Sequence, residues 1–213
     1  DRFRTKRDRI MNQPIRLMVP TIEEDDIQAV VDVLRSKYLV QGPKVLEFER
    51  DFAAYVGTKH AVATINCTEG LLLSLLALGI GPGDKVAVGT FSWPASANCI
   101  VLAGATPVFV DIEERSFNID PQRLSDAIAK DASIKAVIPV HTFGGAADIE
   151  AIRRVTDPRG IPVVEDAACA LGTEQNGRRA GSLGRVGVFS LHPRKAITTG
   201  EGGMMTTDDD SID

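Results

Sequence analysis

Hydrophobic positions along the chain switch between two spacings, one typical of amphipathic helices and the other typical of buried strands. The first helical stretch follows a capping box formed by Thr21 and Glu24. Its apolar residues recur every three or four positions and define one helix face: Ile27, Val30, Val31 and Leu34. A second amphipathic helix begins at Pro43, which suits a first helical position, and ends at Gly57. Two helices are therefore predicted before residue 58.

Seven short hydrophobic runs predict strands along the rest of the chain. They cover residues 61–65, 85–88, 107–110, 136–140, 162–165, 186–190 and 203–207. Helical stretches separate most of the earlier runs, and Asp120 and Asp148 are good helix-start signals. Alternation of this kind predicts an α/β fold with a mostly parallel sheet that is covered by helices on both faces.

Composition and charge argue against several classes of protein. A chain of 213 residues with 44% hydrophobic content is long enough for one sizeable α/β core. A net charge of −5 without a clustered basic face argues against nucleic acid as the main partner. No apolar run approaches the roughly 20 residues that a membrane span needs, and no signal-peptide pattern is present. We therefore expect a cytoplasmic protein that does not enter a membrane.

The cysteines and histidines do not predict a metal site. Cys67, Cys99 and Cys169 are odd in number and lack metal-ligand spacing, and the three histidines are scattered. Reduced thiols are the expected state of these cysteines in a cytoplasmic protein.

The strongest chemical signal is Lys195, which lies in a loop with Gly200, Gly202 and Gly203, downstream of a hydrophobic strand that ends near Asp166. A lysine becomes a useful nucleophile when a cofactor aldehyde is held within its reach. A carboxylate such as Asp166 can keep the pyridine nitrogen of that cofactor protonated. Taken singly, each residue has an ordinary explanation, a solvated lysine and a capping or turn aspartate. Together they predict a pyridoxal phosphate site.

Five segments in a fixed order extend this signal over most of the chain. They are residues 38–43, 76–84, 104–111, 164–168 and the lysine loop at 189–203. Their order and spacing resemble those of the DegT/DnrJ/EryC1/StrS family of sugar aminotransferases, within fold-type I of the pyridoxal phosphate enzymes. The resemblance implies that residues 15–213 are the cofactor-binding large domain, with seven strands, and that the C-terminal small domain is missing. Residues 1–14 are expected to be an N-terminal extension outside this fold.

The resemblance also implies a cradle for the cofactor phosphate. Cys67, Thr68 and Glu69 open a helix directly after a strand, where free amides can bind an anion, and Ser190 adds a hydroxyl. Thr68 alone would more often be a helix cap, and Ser190 a satisfied strand-end serine. Cys67 and Glu69 depart from the small residues usual in the family. We expect Glu69 to point outward, because a carboxylate aimed at the phosphate would repel it.

Two further residues are placed against the cofactor ring by the resemblance. Trp93 follows a strand and corresponds to an aromatic residue that stacks on the ring, although a lone tryptophan is more often a core residue. Cys169 stands three positions after Asp166, where many relatives carry Gln or His that contact the ring oxygen. A thiol is a weak donor, so this contact differs from the family pattern.

The function implied by the resemblance is amino transfer from an amino acid, glutamate or glutamine, to a keto sugar carried on a nucleotide, in amino sugar and polysaccharide biosynthesis. The resemblance further implies a homodimer with the active site at the subunit interface. Lys195 argues against a related branch that carries His at this position and performs dehydration. A cyclitol aminotransferase would share every residue named above. A truncated, non-catalytic relative that acts as a binding or regulatory module also stays open.

Overall fold

The computed structural model describes residues 18–212, so the extension predicted at residues 1–14 lies outside the described residues. One central sheet dominates this part of the chain. In chain order the strands are β1 (His60–Thr64), β2 (Lys85–Gly89), β3 (Thr106–Val110), β4 (Ile134–Ile138), β5 (Val164–Asp166), β6 (Glu174–Gln175), β7 (Arg178–Arg179), β8 (Val186–Ser190) and β9 (Gly203–Thr207). All except β6 and β7, which pair as a separate hairpin, belong to the central sheet.

Hydrogen bonding arranges the central strands in the order β3-β2-β4-β5-β8-β9-β1. β2 pairs in parallel with β3 and β4, β5 pairs in parallel with β8, and β9 runs antiparallel to β8 and β1. Parallel bridges from Val137 to Val163 and from Val140 to Asp166 join the two halves into one sheet. The prediction of a mostly parallel, seven-stranded sheet is confirmed, and β9 is its antiparallel member.

Helices cover both faces of this sheet, as predicted. The α-helices among the described residues are α1 (Glu24–Ser36), α2 (Pro43–Val56), α3 (Cys67–Ala77), α4 (Ala95–Leu102), α5 (Pro121–Lys130) and α6 (Ile149–Thr156). Successive residues of a strand point to opposite faces. Val86 and Val88 of β2 accordingly join the core formed with α3 and α4, whereas Ala87 joins the core formed with α5 and α6. α2 packs against β8 and β9 through a third cluster that includes Phe52 and Phe189.

Most of the predicted helix boundaries are confirmed, but the start of α1 is not. Pro43 opens α2, Gly57 ends it with a positive φ of 89°, and the side chains of Asp120 and Asp148 cap α5 and α6. The N-cap of α1 is Glu23, whose amide donates to Asp26 Oδ2 at 2.9 Å, so the capping box predicted at Thr21 and Glu24 is wrong. Three acidic residues in the first turn favour this start because they face the positive end of the helix dipole.

The apolar face predicted for α1 exists but is not buried in the described structure. No residue of α1 is buried, and Val30 and Leu34 are 60% and 59% exposed. Amphipathic spacing predicted the helix correctly, but it gave no information on what the apolar face contacts.

The hairpin of β6 and β7 was not predicted, although the sequence carries its signal. Asn176 and Gly177 lie between the two strands with φ values of 51° and 77°. An Asn-Gly pair with two positive φ angles is typical of a tight hairpin turn. The strands are only two residues long, so hydrophobic alternation could not reveal them.

Candidate active site

The predicted site residues follow the carboxyl ends of several strands, which meet at one edge of the sheet. Asp166 ends β5, Ser190 ends β8, Trp93 follows β2, and Cys67 opens α3 just after β1. These four strands run in one direction within the sheet, because β9 is antiparallel to both of its neighbours. In sheets of this kind ligands bind beyond the carboxyl ends of the strands. Strand direction therefore gathers residues that are up to 123 positions apart in sequence.

Asp166 is a buried carboxylate with few partners. It is 4% exposed, and its Oδ2 accepts a hydrogen bond from Ser96 Oγ at 2.6 Å, while Oδ1 accepts from the Ala168 amide at 3.2 Å. Burial raises the pKa of Asp166 above its ordinary value, against the opposing effects of the Ser96 and Ala168 hydrogen bonds and the charge of Lys195. Within residues 18–212 no cation lies within ion-pair distance of this carboxylate. A protonated ring nitrogen would supply the missing charge, so the site fits a pyridinium.

Lys195 is held in a loop that connects β8 to β9. Its amide donates to the His192 carbonyl at 2.9 Å, and the Thr198 hydroxyl donates to the Leu191 carbonyl at 2.8 Å, which closes the loop. The half-buried Lys195 amine donates to Cys169 Sγ at 3.0 Å, and no carboxylate among the described residues lies within ion-pair distance of it. Burial raises the pKa of both Asp166 and Cys67, and the charge of Lys195 partly opposes this rise at both groups. The structure thus brings the three groups into one electrostatic environment.

The first turn of α3 is capped by Asn66 and not by Thr68. Asn66 Oδ1 accepts a hydrogen bond from the Glu69 amide at 2.8 Å, so the interpretation of Thr68 as the N-cap is wrong. Thr68 is the second residue of the helix and is half-buried, as is Glu69. The amides of Cys67 and Thr68 precede the first intrahelical hydrogen bond and are available to an anion. The helix therefore fits a phosphate through its backbone.

The thiol of Cys67 belongs to the protein core. It is buried and donates to the Val188 carbonyl at 3.9 Å. Burial raises the pKa of Cys67 well above its ordinary value, and the nearby charge of Asp166 adds to this effect. Only the backbone of Cys67 is thus available to a phosphate, and its neutral side chain brings no negative charge to the cradle.

Trp93 and Ser190 lie at the same edge of the sheet. Trp93 is 78% exposed, so it is not the core residue that a lone tryptophan would more often be. Ser190 is half-buried at the end of β8, and its Oγ accepts a hydrogen bond from the His192 amide at 3.4 Å. Neither residue contacts Asp166 or Lys195 among the interactions within residues 18–212.

Sequence reasoning missed the residues that support Asp166. Ser96 lies on α4 and donates a hydrogen bond to Asp166. The Ser96 Oγ is also 2.6 Å from the Ser92 Oγ. The sequence places Ser96 only three positions after Trp93, and in the structure it lies in the first turn of α4. The linked hydroxyls of Ser92 and Ser96 can hold the Asp166 carboxylate in one orientation.

A buried pair, His141 and Glu165, lies beside Asp166 and was also missed. His141 Nε2 is 2.9 Å from Glu165 Oε2, and both side chains are fully buried. The Ala147 amide donates to His141 Nδ1 at 3.0 Å, so the ring proton resides on Nε2 and is donated to Glu165. Glu165 also accepts hydrogen bonds from the amides of Gly181, Leu183 and Gly184. This carboxylate therefore fixes the segment that precedes β8.

Residues 18–212 contain no cluster of His, Cys, Asp or Glu that could hold a metal ion. None of the helices described is both long and apolar enough to cross a membrane.

The α/β fold is similar to those of solved aminotransferases. The aminotransferase of Psychrobacter cryohalolentis is 36% identical in sequence, with a TM-score of 0.87 over 91% of this chain and 49% of that one. The PLP form of Spr1654 from Streptococcus pneumoniae is 34% identical, with a TM-score of 0.89 over 94% of this chain and 55% of that one. These matches confirm the predicted fold class.

Residues 20–213 match the model of the DegT/DnrJ/EryC1/StrS aminotransferase family, and the chain belongs to this family. The spore coat polysaccharide biosynthesis protein SpsC of Bacillus subtilis (strain 168) is 47% identical over 194 residues, which are 91% of this chain and 49% of SpsC. The chain spans about half the length of the curated relatives that it matches. The resemblance inferred from the five sequence segments is thereby confirmed.

Proposed function

We propose that the protein is a pyridoxal phosphate-dependent aminotransferase that moves an amino group from glutamate or glutamine to a nucleotide-linked keto sugar. The observation that carries this proposal is the pair of Asp166 and Lys195 at one sheet edge. Asp166 is buried without a cation, and the Lys195 amine is free of any ion pair within residues 18–212. Neither group is engaged in an ion pair with another described residue, so both are available to this cofactor.

The residues divide into those that hold the cofactor and one that moves a proton. Asp166, oriented by Ser96, pairs with the ring nitrogen. The amides of the first turn of α3, together with Thr68 and Ser190, would hold the phosphate, and exposed Trp93 would cover a face of the ring. When bound, pyridoxal phosphate supplies an aldehyde for exchange of amines and a ring that withdraws electrons. Lys195 would hold the cofactor through its amine and, as a free amine, would take the proton from the substrate carbon.

The substrate class is the part of the proposal that rests on relatives. The curated relative SpsC is named for the biosynthesis of spore coat polysaccharide, and one similar structure is a 3-amino-5-hydroxybenzoic acid synthase. A nucleotide-linked keto sugar agrees with the first of these relatives. Cyclitol amination requires the same residues, so acceptor assays must include a keto cyclitol beside the nucleotide sugar.

The attachment of the cofactor can be tested directly. The chain is incubated with pyridoxal phosphate, its visible absorption is recorded, and borohydride then makes the covalent bond permanent for peptide mapping. We expect the reduced cofactor on Lys195 and a shifted absorption band, and both should be lost in Lys195→Ala. Both should be retained in the control Lys44→Ala, because the Lys44 amine pairs with Glu47 at the surface. Reduced cofactor on any other lysine, or on none, contradicts the proposal. The same experiment distinguishes an enzyme that attaches the cofactor from a non-catalytic relative that does not.

A homodimer is part of the same proposal. Tyr38, Leu39 and Val40 follow α1 and are 67%, 64% and 82% exposed, and we call them the exposed apolar segment. Consecutive apolar residues with such exposure are typical of a surface that another chain covers. A second copy of this chain at that segment would remove its apolar surface from water.

A further inference from the structure

Two reactive side chains touch at the candidate site, the amine of Lys195 and the thiol of Cys169. Nζ and Sγ are 3.0 Å apart, which is a hydrogen-bonding contact. Cys169 lies three residues beyond the end of β5, in the turn that follows Asp166, and it is exposed. A nucleophilic nitrogen therefore rests against a sulfur atom that solvent can reach.

The other two cysteines differ from Cys169 in access and in reactivity. Cys67 and Cys99 are buried, and their thiols donate to the carbonyls of Val188 and Ser96. Burial raises the pKa of Cys67 well above its ordinary value and raises the pKa of Cys99 to about 12. Oxidants react with accessible thiolates, so these two buried thiols are protected. Of the three cysteines, Cys169 is therefore the one that a dissolved oxidant can reach.

We propose that Cys169 is an oxidation site whose product captures Lys195 in a sulfur–nitrogen cross-link. In the first step a hydroperoxide oxidises the thiol, a sulfur–oxygen bond forms as the peroxide bond breaks, and sulfenic acid and water or an alcohol result. In the second step the lone pair of the Lys195 amine attacks this sulfur. The sulfur–nitrogen bond forms, the sulfur–oxygen bond breaks, and water leaves with a proton of the amine.

The cross-link is reversible by thiols. Two molecules of a small thiol reduce the sulfur–nitrogen bond, return the Cys169 thiol and the Lys195 amine, and are themselves oxidised to one disulfide. Sulfenic acids condense with nearby nitrogen nucleophiles in this way, and proximity is what selects the partner. The second step requires little rearrangement, because the two atoms already lie in contact.

The consequence for the enzyme rests on the proposed function. A cross-linked Lys195 cannot attach the cofactor aldehyde, so oxidation would block loading of the cofactor until a thiol restores the amine. Conversely, an attached cofactor occupies the amine and leaves Cys169 without its nitrogen partner. The cross-link itself depends only on the contact between the two side chains.

The test uses the cofactor-free chain, hydrogen peroxide, and mass spectrometry without reducing agent. We expect a loss of two hydrogens, about 2 Da, together with a joined peptide that contains Cys169 and Lys195, and both should disappear on treatment with dithiothreitol. Cys169→Ser, a matched replacement of sulfur by oxygen, should abolish the joined peptide. The control Cys99→Ala should form it as the unaltered chain does. In Lys195→Ala, Cys169 should instead proceed to higher oxides that dithiothreitol does not reverse.

Several outcomes would overturn the cross-link. One is a peptide that joins Cys169 to Cys67 or Cys99, because a disulfide gives the same change in mass. Another is an oxidised Cys169 that accumulates while Lys195 stays unmodified. If the joined peptide forms but prior loading with pyridoxal phosphate does not suppress it, the cross-link stands and the cofactor assignment of Lys195 falls.

Discussion

At the scale of single residues, β5 ends with two adjacent carboxylates that have different surroundings. Glu165 and Asp166 point to opposite faces of the strand. Glu165 accepts hydrogen bonds from three backbone amides and from His141, whereas Asp166 accepts only from Ser96 and one amide. The fully bonded carboxylate has a structural role. The carboxylate with few partners is the one that remains available to a ligand.

Replacement of Asp166 by Asn should separate cofactor attachment from catalysis. Lys195 is unchanged in Asp166→Asn, so the covalent attachment should persist, but amino transfer should fall by orders of magnitude because the ring nitrogen loses its anion. Each factor of ten in rate corresponds to about 1.4 kcal/mol of barrier. Stopped-flow rates with the amino donor measure this. Near-normal rates in Asp166→Asn would show that another group holds the ring, and Asp51→Asn, a surface change, is the control.

Asp166 should make the stability of the cofactor-free chain depend on pH, and the same substitution should remove that dependence. Burial raises the pKa of Asp166 above its ordinary value of 3.8, so the folded chain binds this proton more tightly than the unfolded chain. Unfolding free energy should therefore fall as pH rises from that ordinary value through the raised pKa. Asp166→Asn removes this loss, so we expect it to be the more stable protein at neutral pH. Urea unfolding at several pH values measures the difference, which should shrink towards pH 4.

At the scale of elements, α3 is pressed closely against the strands that carry the site. A Cβ added at Gly70 would lie 2.6 Å from Val188 Cγ1, and one added at Gly203 would lie 2.5 Å from the Asn66 carbonyl carbon. Only glycine permits both approaches. The first turn of α3 is thus held in place from β8 and β9, and its amides are fixed before any phosphate arrives.

Removal of the cap of α3 should weaken both the helix and the phosphate site. Asn66→Ala deletes the acceptor of the Glu69 amide and should lower the unfolding free energy by about 0.5–2 kcal/mol. It should also weaken binding of pyridoxal phosphate, because the first turn frays. Asn66→Ser retains a capping oxygen and should restore both properties. Urea unfolding and a cofactor titration provide the measurements, and unchanged cofactor binding in Asn66→Ala would argue against a phosphate at this turn.

At the scale of the whole molecule, several large apolar side chains remain exposed outside the closed cores. The exposed apolar segment at residues 38–40 and Trp93 are all more than 60% exposed, whereas the cores on both faces of the sheet are closed. Amphipathic α1 lies directly before this segment and buries none of its residues in the described structure. A second copy of the chain would remove such surface from water.

Val40→Asp should shift the proposed dimer towards the monomer. The substitution places an unpaired charge where an apolar contact is expected. We expect the dissociation constant to rise at least tenfold, and a tenfold rise corresponds to about 1.4 kcal/mol. Gln28→Asp on exposed α1 adds a similar charge elsewhere and should leave association unchanged. Sedimentation with cofactor present distinguishes the species. A chain that is monomeric at all concentrations while it transfers amino groups to the sugar would refute the interface.

The sequence by itself determined the order of strands and helices, most caps, and the position of Lys195 and Asp166. Local spacing and capping residues suffice for this, since they act over a few neighbouring positions. Tertiary structure decided that Ser96 orients Asp166, that His141 pairs with Glu165, and that Cys169 contacts Lys195. These contacts join residues 24 to 70 positions apart, and they depend on strand order and on packing density that no local pattern encodes.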